Sequence, residues 1–185
     1  MSYTRLYRRT EDGTLEFREA WYDDEAAQFV VNHGTVGHQS KTQETDDVGA
    51  DAGEALLAAF EAQCAEDGYG PVPDDQLWRV VAQFALKTAE GTERDRHLER
   101  QAVQALSAHL AWRGLGTVEG SSIGAGKLNV FATCVDAGKA VTAVKTCLRE
   151  ATSDFTKLSI AVAPATDPEA FRLKHAPAGV RGFSL

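Results

Sequence analysis

Residues 114–136 read GLGTVEGSSIGAGKLNVFATCVD and decide how the second half of the chain is organised. The stretch begins with a glycine-broken turn after a helical pattern, and it ends in a run, residues 127–135, that alternates along its length. A period of two is the signature of a β-strand. Gly124 and Gly126 give the backbone the freedom that a tight turn needs just before that strand. We therefore predict a central β-hairpin.

The sequence GAGK at residues 124–127 is similar to part of a phosphate-binding loop. That loop requires a glycine where this chain has Ser121, and a Ser or Thr where it has Leu128. The segment also leads into a strand pattern, so it lacks the helix N-terminus that holds a phosphate. We interpret it as a glycine-rich turn and predict no nucleotide or other cofactor.

Composition places the chain among ordinary globular proteins. Its 185 residues are 43% apolar and 25% charged, which suits one large or two small domains. The net charge of −8 disfavours a general nucleic-acid binder, because attraction to phosphates relies on an excess of Lys and Arg. No apolar run is long enough to span a membrane, and MSYTRLYRRT lacks the apolar core of a signal peptide. We expect a cytoplasmic protein.

The three cysteines, Cys64, Cys134 and Cys147, are odd in number and far apart. None belongs to a CxxC pair, so a cysteine-based zinc site is not expected. Cys134 falls in a strand pattern and Cys147 in a helix pattern, at positions where small apolar residues are usually buried. We predict buried free thiols.

The first 73 residues predict a small antiparallel meander followed by one packed helix. Three stretches alternate as strands do, at residues 3–10, 15–22 and 27–32. Glu11-Asp12-Gly13 is a hairpin turn signal, and an acidic loop covers residues 46–53. A helical pattern runs from Gly53 to a terminator at Gly68, and the proline- and acid-rich residues 69–75 mark a domain boundary.

This arrangement resembles the WGR domain, a β-meander with one packed helix that is named for a Trp-Gly-Arg signature. The signature falls at His33-Gly34-Thr35 and is followed by Val36-Gly37. A helix with Ala55 and Phe60 that ends at Gly68-Tyr69 also fits. The resemblance covers residues 3–73 and implies a WGR-like first domain.

The departures from the family's signature bear on function. In the best-known members, which are nucleic-acid-sensing polymerases, the Trp and Arg help contact DNA or neighbouring domains. Here His33 and Thr35 stand in their place, so the indole surface and the guanidinium fork are both missing. The resemblance therefore implies the fold but not DNA binding, and we predict only weak binding to duplex DNA.

Residues 76–164 predict a ferredoxin-like α+β domain. Strand patterns at residues 77–87 and 158–163 enclose two helix patterns and the hairpin, with the helices at residues 95–113 and 139–151. This βαββαβ order predicts a four-stranded antiparallel sheet with both helices on one face. Residues 165–185 form a tail, in which we expect a short helix at 167–175 and a mobile end.

Eight residues are candidates for binding, in two groups. His33, Thr35, His38 and Lys41 cluster in what the pattern indicates is one loop. No further ligands lie at suitable spacing, so a metal site is not expected. The second group is an apolar patch on the sheet face opposite the helices, formed by Val81, Phe131, Val135 and Ala161. Such patches mark contact surfaces, and we expect a homodimer through this open face.

No catalytic constellation emerges, because the paired carboxylates fall in turns and linkers, where acids are usually solvated. The leading hypothesis is a non-enzymatic binding or adaptor protein that acts on protein partners. Two alternatives stay open. One is nucleic-acid binding through the WGR-like domain, and the other is a small-molecule enzyme with a pocket at the domain junction.

Overall fold

The computed structural model describes residues 3–185, which form an α+β protein with two antiparallel sheets. The chain divides into two compact units. The first extends to Val72 and includes Trp112–Gly114, and the second comprises Pro73–Ala111 and Leu115–Leu185.

The first unit is a four-stranded meander whose strands lie side by side in chain order. The strands are β1 (Tyr3–Arg9), β2 (Leu15–Asp23), β3 (Gln28–Thr35) and β4 (Lys41–Thr45), and one helix, α1 (Ala50–Glu66), follows them. A meander with one packed helix is therefore confirmed.

The loop predicted after residue 32 is wrong, because β3 continues to Thr35 and a fourth strand begins at Lys41. The sequence of β4 is KTQET, which has no apolar residue and so gives no hydrophobic period to detect. Its structure depends on backbone pairing with β3, in which Lys41 lies opposite His33. A short edge strand that carries a lysine is a common protection against unwanted strand pairing.

Helix α1 ends in a glycine cap and covers only one end of the sheet. Gly68 adopts a left-handed conformation with φ +81°, and the Tyr69 amide donates to the Cys64 carbonyl at 2.8 Å. This pairing is a Schellman motif, so the predicted terminator is confirmed. The helix packs on a cluster that contains Ala20, Tyr22, Phe29 and Val48, while the polar end of the same sheet face stays uncovered by it.

The other face of the meander buries a charged network around Glu19, which is only 2% exposed. One carboxylate oxygen accepts from Arg5 at 2.6 Å and from Tyr3 at 3.0 Å. The second oxygen accepts from Asn32 at 2.8 Å, and Asn32 in turn accepts from Thr42 at 2.7 Å. The buried charge is thus both paired and hydrogen-bonded, which is the condition for its tolerance in a protein interior.

The second unit has the predicted ferredoxin-like βαββαβ order. Its elements are β5 (Trp78–Ala85), α2 (Glu93–Ala111), β6 (Gly116–Gly124), β7 (Lys127–Cys134), α3 (Ala137–Ala151) and β8 (Leu158–Pro164). The strands lie in the order β6-β7-β5-β8, so the first and third strands of the unit are central, as this fold requires. Helix α2 packs on β6 and β7, and α3 packs on β5 and β8. The helices also contact each other and therefore share one face.

The hairpin at the centre of this unit is confirmed. Its two-residue turn joins β6 to β7 through Ala125 and Gly126, whose φ angles are +50° and +74°. Two successive residues with positive φ define the type I′ turn that matches the twist of a hairpin. GAGK is therefore a strand connection, as the pattern indicated.

The tail contains a fifth strand of this sheet and not the helix that we predicted. Strand β9 (Arg172–His175) pairs with β8, and Ala161 lies opposite Leu173. A four-residue strand shows too few alternations to be recognised, and its partner lies earlier in the chain. Further along, Ser184 accepts hydrogen bonds from Gln83 at 2.9 Å and from Lys127 at 2.7 Å.

All three cysteines are buried, and none forms a disulfide within residues 3–185, as predicted. Within residues 3–185, no helix has both the length and the apolar character needed to cross a membrane.

Candidate functional site

A cleft of about 470 Å³ opens at the polar end of the meander, and residues of the first unit line it. Five lining side chains are basic or can become so: Arg8, Arg18, His33, His38 and Lys41. The remaining polar lining includes Glu16, Thr35, Gln39 and Tyr69. A concave site with convergent polar groups is the usual form of a binding site.

Strand alternation brings the basic residues to one face. Side chains two apart on a strand share a face, so Arg18 lies on the same face as the buried Ala20 and Tyr22. Likewise His33 shares a face with Phe29 on β3. The apolar part of this face is covered by α1, and the part beyond the helix carries the charged residues of the cleft.

The register of the sheet sets three of these residues in a row across neighbouring strands. Arg18 of β2 lies opposite His33 of β3, and His33 lies opposite Lys41 of β4. Adjacent strands are about 4.8 Å apart, so the row spans about 10 Å from Arg18 to Lys41. We call Arg18, His33 and Lys41 the basic row.

The residue just beyond α1, Tyr69, forms one wall of the cleft between two guanidinium groups. The Arg8 guanidinium carbon lies 4.6 Å from the ring centroid, and that of Arg18 lies 4.3 Å from it. The Tyr69 hydroxyl donates to Glu16 at 3.0 Å, and Arg8 donates to the same carboxylate oxygen at 2.8 Å. Arg18 pairs with Asp67 at 2.5 Å. Both arginines are thus held in place before any ligand binds.

The two carboxylates that hold the arginines are stabilised in their charged forms. Hydrogen bonds from Arg8 and Tyr69 lower the pKa of Glu16. The hydrogen bond from Arg18 lowers the pKa of Asp67. Burial is the main reason that the pKa of Tyr69 is raised, so its hydroxyl remains a donor. Glu16 is therefore an anchor for Arg8 and is poorly suited to exchange protons near neutral pH.

The four candidates His33, Thr35, His38 and Lys41 all line this one cleft. Sequence reasoning placed them in a loop, whereas His33 and Thr35 lie on β3 and Lys41 on β4. The lining residues that it missed include Arg8, Glu16, Arg18 and Tyr69. The predicted hairpin turn at residues 11–13 was a usable signal, because it sets Arg8 opposite Glu16.

The second candidate group lies on the sheet of the second unit. Val81 is opposite both Phe131 and Ala161, so these three are neighbours on one face. Val135 lies just beyond the end of β7. Val81 and Ala161 are fully buried within the single chain, so the face is not open at these two positions. Phe131 and Val135 are half-buried, and the homodimer expected through this face stays a prediction.

Residues of the tail contact the same face, which explains part of the difference between the open face that we expected and the partly buried face that the structure has. The guanidinium carbon of Arg79, two residues before Val81, lies 5.9 Å from the ring centroid of Phe171. Phe171 packs on Phe183, and their ring centroids are 5.2 Å apart. Lys127 donates to the Ser184 hydroxyl and carbonyl, both at 2.7 Å. The period of a strand shows which residues share a face, but it does not show that a distant segment of the same chain contacts that face.

In the part of the chain that the structure describes, no three His, Cys, Asp or Glu side chains are grouped as metal ligands would be. Comparisons with protein-family models, with curated proteins and with solved structures find no significant match to this chain. The geometry of the cleft is therefore the main guide to function.

Proposed function

We propose that the protein is a non-enzymatic binding protein whose first unit holds a protein partner in the cleft of the meander. The observation that carries the proposal is the basic row. Arg18 is fixed by Asp67 and Tyr69, while neither His33 nor Lys41 has an ion pair within residues 3–185. A lysine and an imidazole that line a concave surface without internal ion pairs are suited to an external anion.

An acidic segment of a protein suits this cleft better than a nucleic acid. Residues 1–72 contain five Lys and Arg and fifteen Asp and Glu, so 5 − 15 gives a formal charge of −10. A long polyanion is repelled by this net negative charge over its whole length. A partner that presents one compact anionic group contacts only the basic interior.

The WGR-like relationship is part of the same proposal. The two signature positions that differ from the family, His33 and Thr35, both line the cleft. We infer that the meander is a WGR-like scaffold in which these replacements give the cleft a ligand other than duplex DNA. The expected non-enzymatic role is supported by Glu16, since Arg8 and Tyr69 hold this cleft carboxylate in its ionised form.

Affinity capture with matched variants tests the proposal. Three proteins are immobilised separately and exposed to nuclease-treated lysate. They are the unmodified chain, the double variant His33→Ala/Lys41→Ala and the control variant Lys87→Ala. Lys87 is exposed and does not line the cleft. Lys87→Ala therefore removes one surface lysine, as Lys41→Ala does, but leaves the cleft unchanged. We expect one set of proteins to be retained by the unmodified chain and by the control, and to be lost from the double variant. Retention by all three contradicts the proposal, as does retention that occurs only from a parallel lysate without nuclease.

A further inference from the structure

We infer that the anionic group held in the cleft is a phosphate monoester on a side chain of the partner protein, that is, a phosphorylated serine, threonine or tyrosine. This inference rests on the proposed function and adds the chemical class of the ligand. It follows from the charge that is left uncompensated, from the number of free donors and from the spacing of the basic row.

An uncompensated cation in the cleft favours a strongly charged anion. Arg8 is paired with Glu16 at 2.8 Å, and Arg18 is paired with Asp67 at 2.5 Å. Lys41, His33 and His38 have no acidic partner among the described residues. Lys41 therefore leaves one uncompensated positive charge in the cleft, beside the two imidazoles. A phosphate monoester carries about −1.5 to −2 at neutral pH, so it is attracted to this cation more strongly than a carboxylate, which carries −1.

The hydrogen-bond donors of the cleft also favour a phosphate monoester over a carboxylate. Five lining side chains can donate and have no hydrogen-bond partner among residues 3–185: His33, Thr35, His38, Gln39 and Lys41. A carboxylate presents two acceptor oxygens, while a phosphate monoester presents three strong ones. Since a charged acceptor strengthens each hydrogen bond, a group with three oxygens uses this set of donors more fully.

The spacing of the basic row fits one tetrahedral group. His33 is the central residue, with Arg18 and Lys41 about 4.8 Å away on either side along the sheet. The two outer side chains are long and the middle one is short. A phosphate above the imidazole is therefore within reach of both outer cations. Asp67 and Tyr69 already fix the Arg18 guanidinium, so one of the donors is ordered before binding.

The size of the cleft and the charge around it favour a phosphorylated side chain over a nucleic-acid phosphate. A volume of about 470 Å³ admits one phosphorylated side chain with part of its backbone. The −10 charge of residues 1–72 opposes an extended strand of phosphodiesters, which carries negative charge along its whole length.

The test uses three degenerate peptide libraries that differ at one central position, which is phosphoserine, serine or glutamate. Circular dichroism first shows that the full-length protein, His33→Ala/Lys41→Ala and Lys87→Ala are folded. Each library is then passed over each of these three immobilised proteins. We expect the phosphoserine library to be retained at least tenfold more strongly than the other two. The double variant should lose about tenfold of that retention, since a lost hydrogen bond to a charged group has this effect. Millimolar inorganic phosphate should compete.

The possible outcomes separate this inference from the proposed function. Equal retention of the glutamate and phosphoserine libraries overturns the phosphate assignment and leaves a protein-binding cleft intact. Failure of all three libraries with folded protein also overturns it, while the lysate capture still decides the proposed function. Preferential binding of a 5′-phosphorylated oligonucleotide, lost in the double variant, contradicts both. Unchanged retention in the double variant shows that the cleft is not the site.

Discussion

The guanidinium carbon of Arg18 lies 4.3 Å from the ring centroid of Tyr69, a residue outside the sheet that is 7% exposed. Arg8 lies on the same ring at 4.6 Å. Tyr69 follows the glycine cap of α1, so the end of the helix and the arrangement of the cleft depend on one another.

Replacing Tyr69 should separate the contribution of its ring from that of its hydroxyl. Tyr69→Phe keeps the ring but loses the hydrogen bond to Glu16, for which we expect a loss of about 1 kcal/mol in the free energy of unfolding. Tyr69→Ala also removes a buried ring that two guanidinium groups contact, and we expect about 3 kcal/mol. Urea unfolding of both variants measures the difference. Equal losses would show that the ring adds nothing.

An alanine at Gly53 should destabilise the first unit although the residue lies inside a helix. A Cβ at this position would be 2.5 Å from the ring of Tyr22, which is buried in the core of the meander. We expect Gly53→Ala to reduce the free energy of unfolding by about 1–3 kcal/mol, because overpacking outweighs the gain in helix propensity.

Gly138 on α3 offers a matched control for this substitution. The nearest atom to a Cβ there is an Asp136 carboxylate oxygen at 3.6 Å, which is ordinary contact. Gly138→Ala should therefore raise stability by up to about 1 kcal/mol. Thermal unfolding of both variants shows the opposed signs. A stabilised Gly53→Ala protein would mean that Tyr22 moves at little energetic cost.

Lys127 should hold residues 183–185 against the sheet and contribute little to overall stability. Its ammonium group donates to the Ser184 hydroxyl and to the carbonyls of Ser184 and Leu185. In Lys127→Ala we expect faster amide exchange at residues 183–185, with the urea midpoint unchanged within about 0.5 kcal/mol. Lys87→Ala is the control that leaves these contacts intact. Identical exchange in both variants rules out this role.

Mild acid should weaken the attachment of β9 through His175. Burial, with smaller contributions from Lys145 and Arg149, lowers the pKa of His175. The unfolded chain then binds the proton first as the pH falls below about 6.5, so this residue makes the folded state less stable there. We expect the stability of the unmodified protein, relative to His175→Gln, to fall between pH 7.5 and pH 5. A difference that stays constant with pH excludes the effect.

The alternation of apolar residues predicted most of the fold. Runs such as Leu15–Asp23 have clear periods because one face of each strand is buried, and the long helices show the matching helical period. Two short strands were missed, β4 because it has no apolar residue, and β9 because four residues give no clear period. Both are edge strands, where backbone pairing rather than side-chain burial sets the structure.

The sequence predicted only half of the site, because the register between strands decides which residues lie together. His33 and Lys41 are eight positions apart in sequence, and only the pairing of β3 with β4 brings them opposite each other. Arg18 enters the same row through a different strand pair. A pattern within one strand shows which face a residue takes. Which residues meet across strands depends on turn geometry that the pattern of the strand itself does not contain.

Because α1 covers one end of the sheet face and leaves the other, the meander separates the residues that keep it folded from those that line the proposed binding cleft. Ala20, Tyr22 and Phe29 lie in the first group, and Lys41 and His38 lie at exposed positions in the second. Substitutions in the exposed group change charge and shape without opening a cavity in the core. The exposed positions can therefore be varied with little loss of stability, which makes the scaffold suitable for the directed selection of ligands at the cleft.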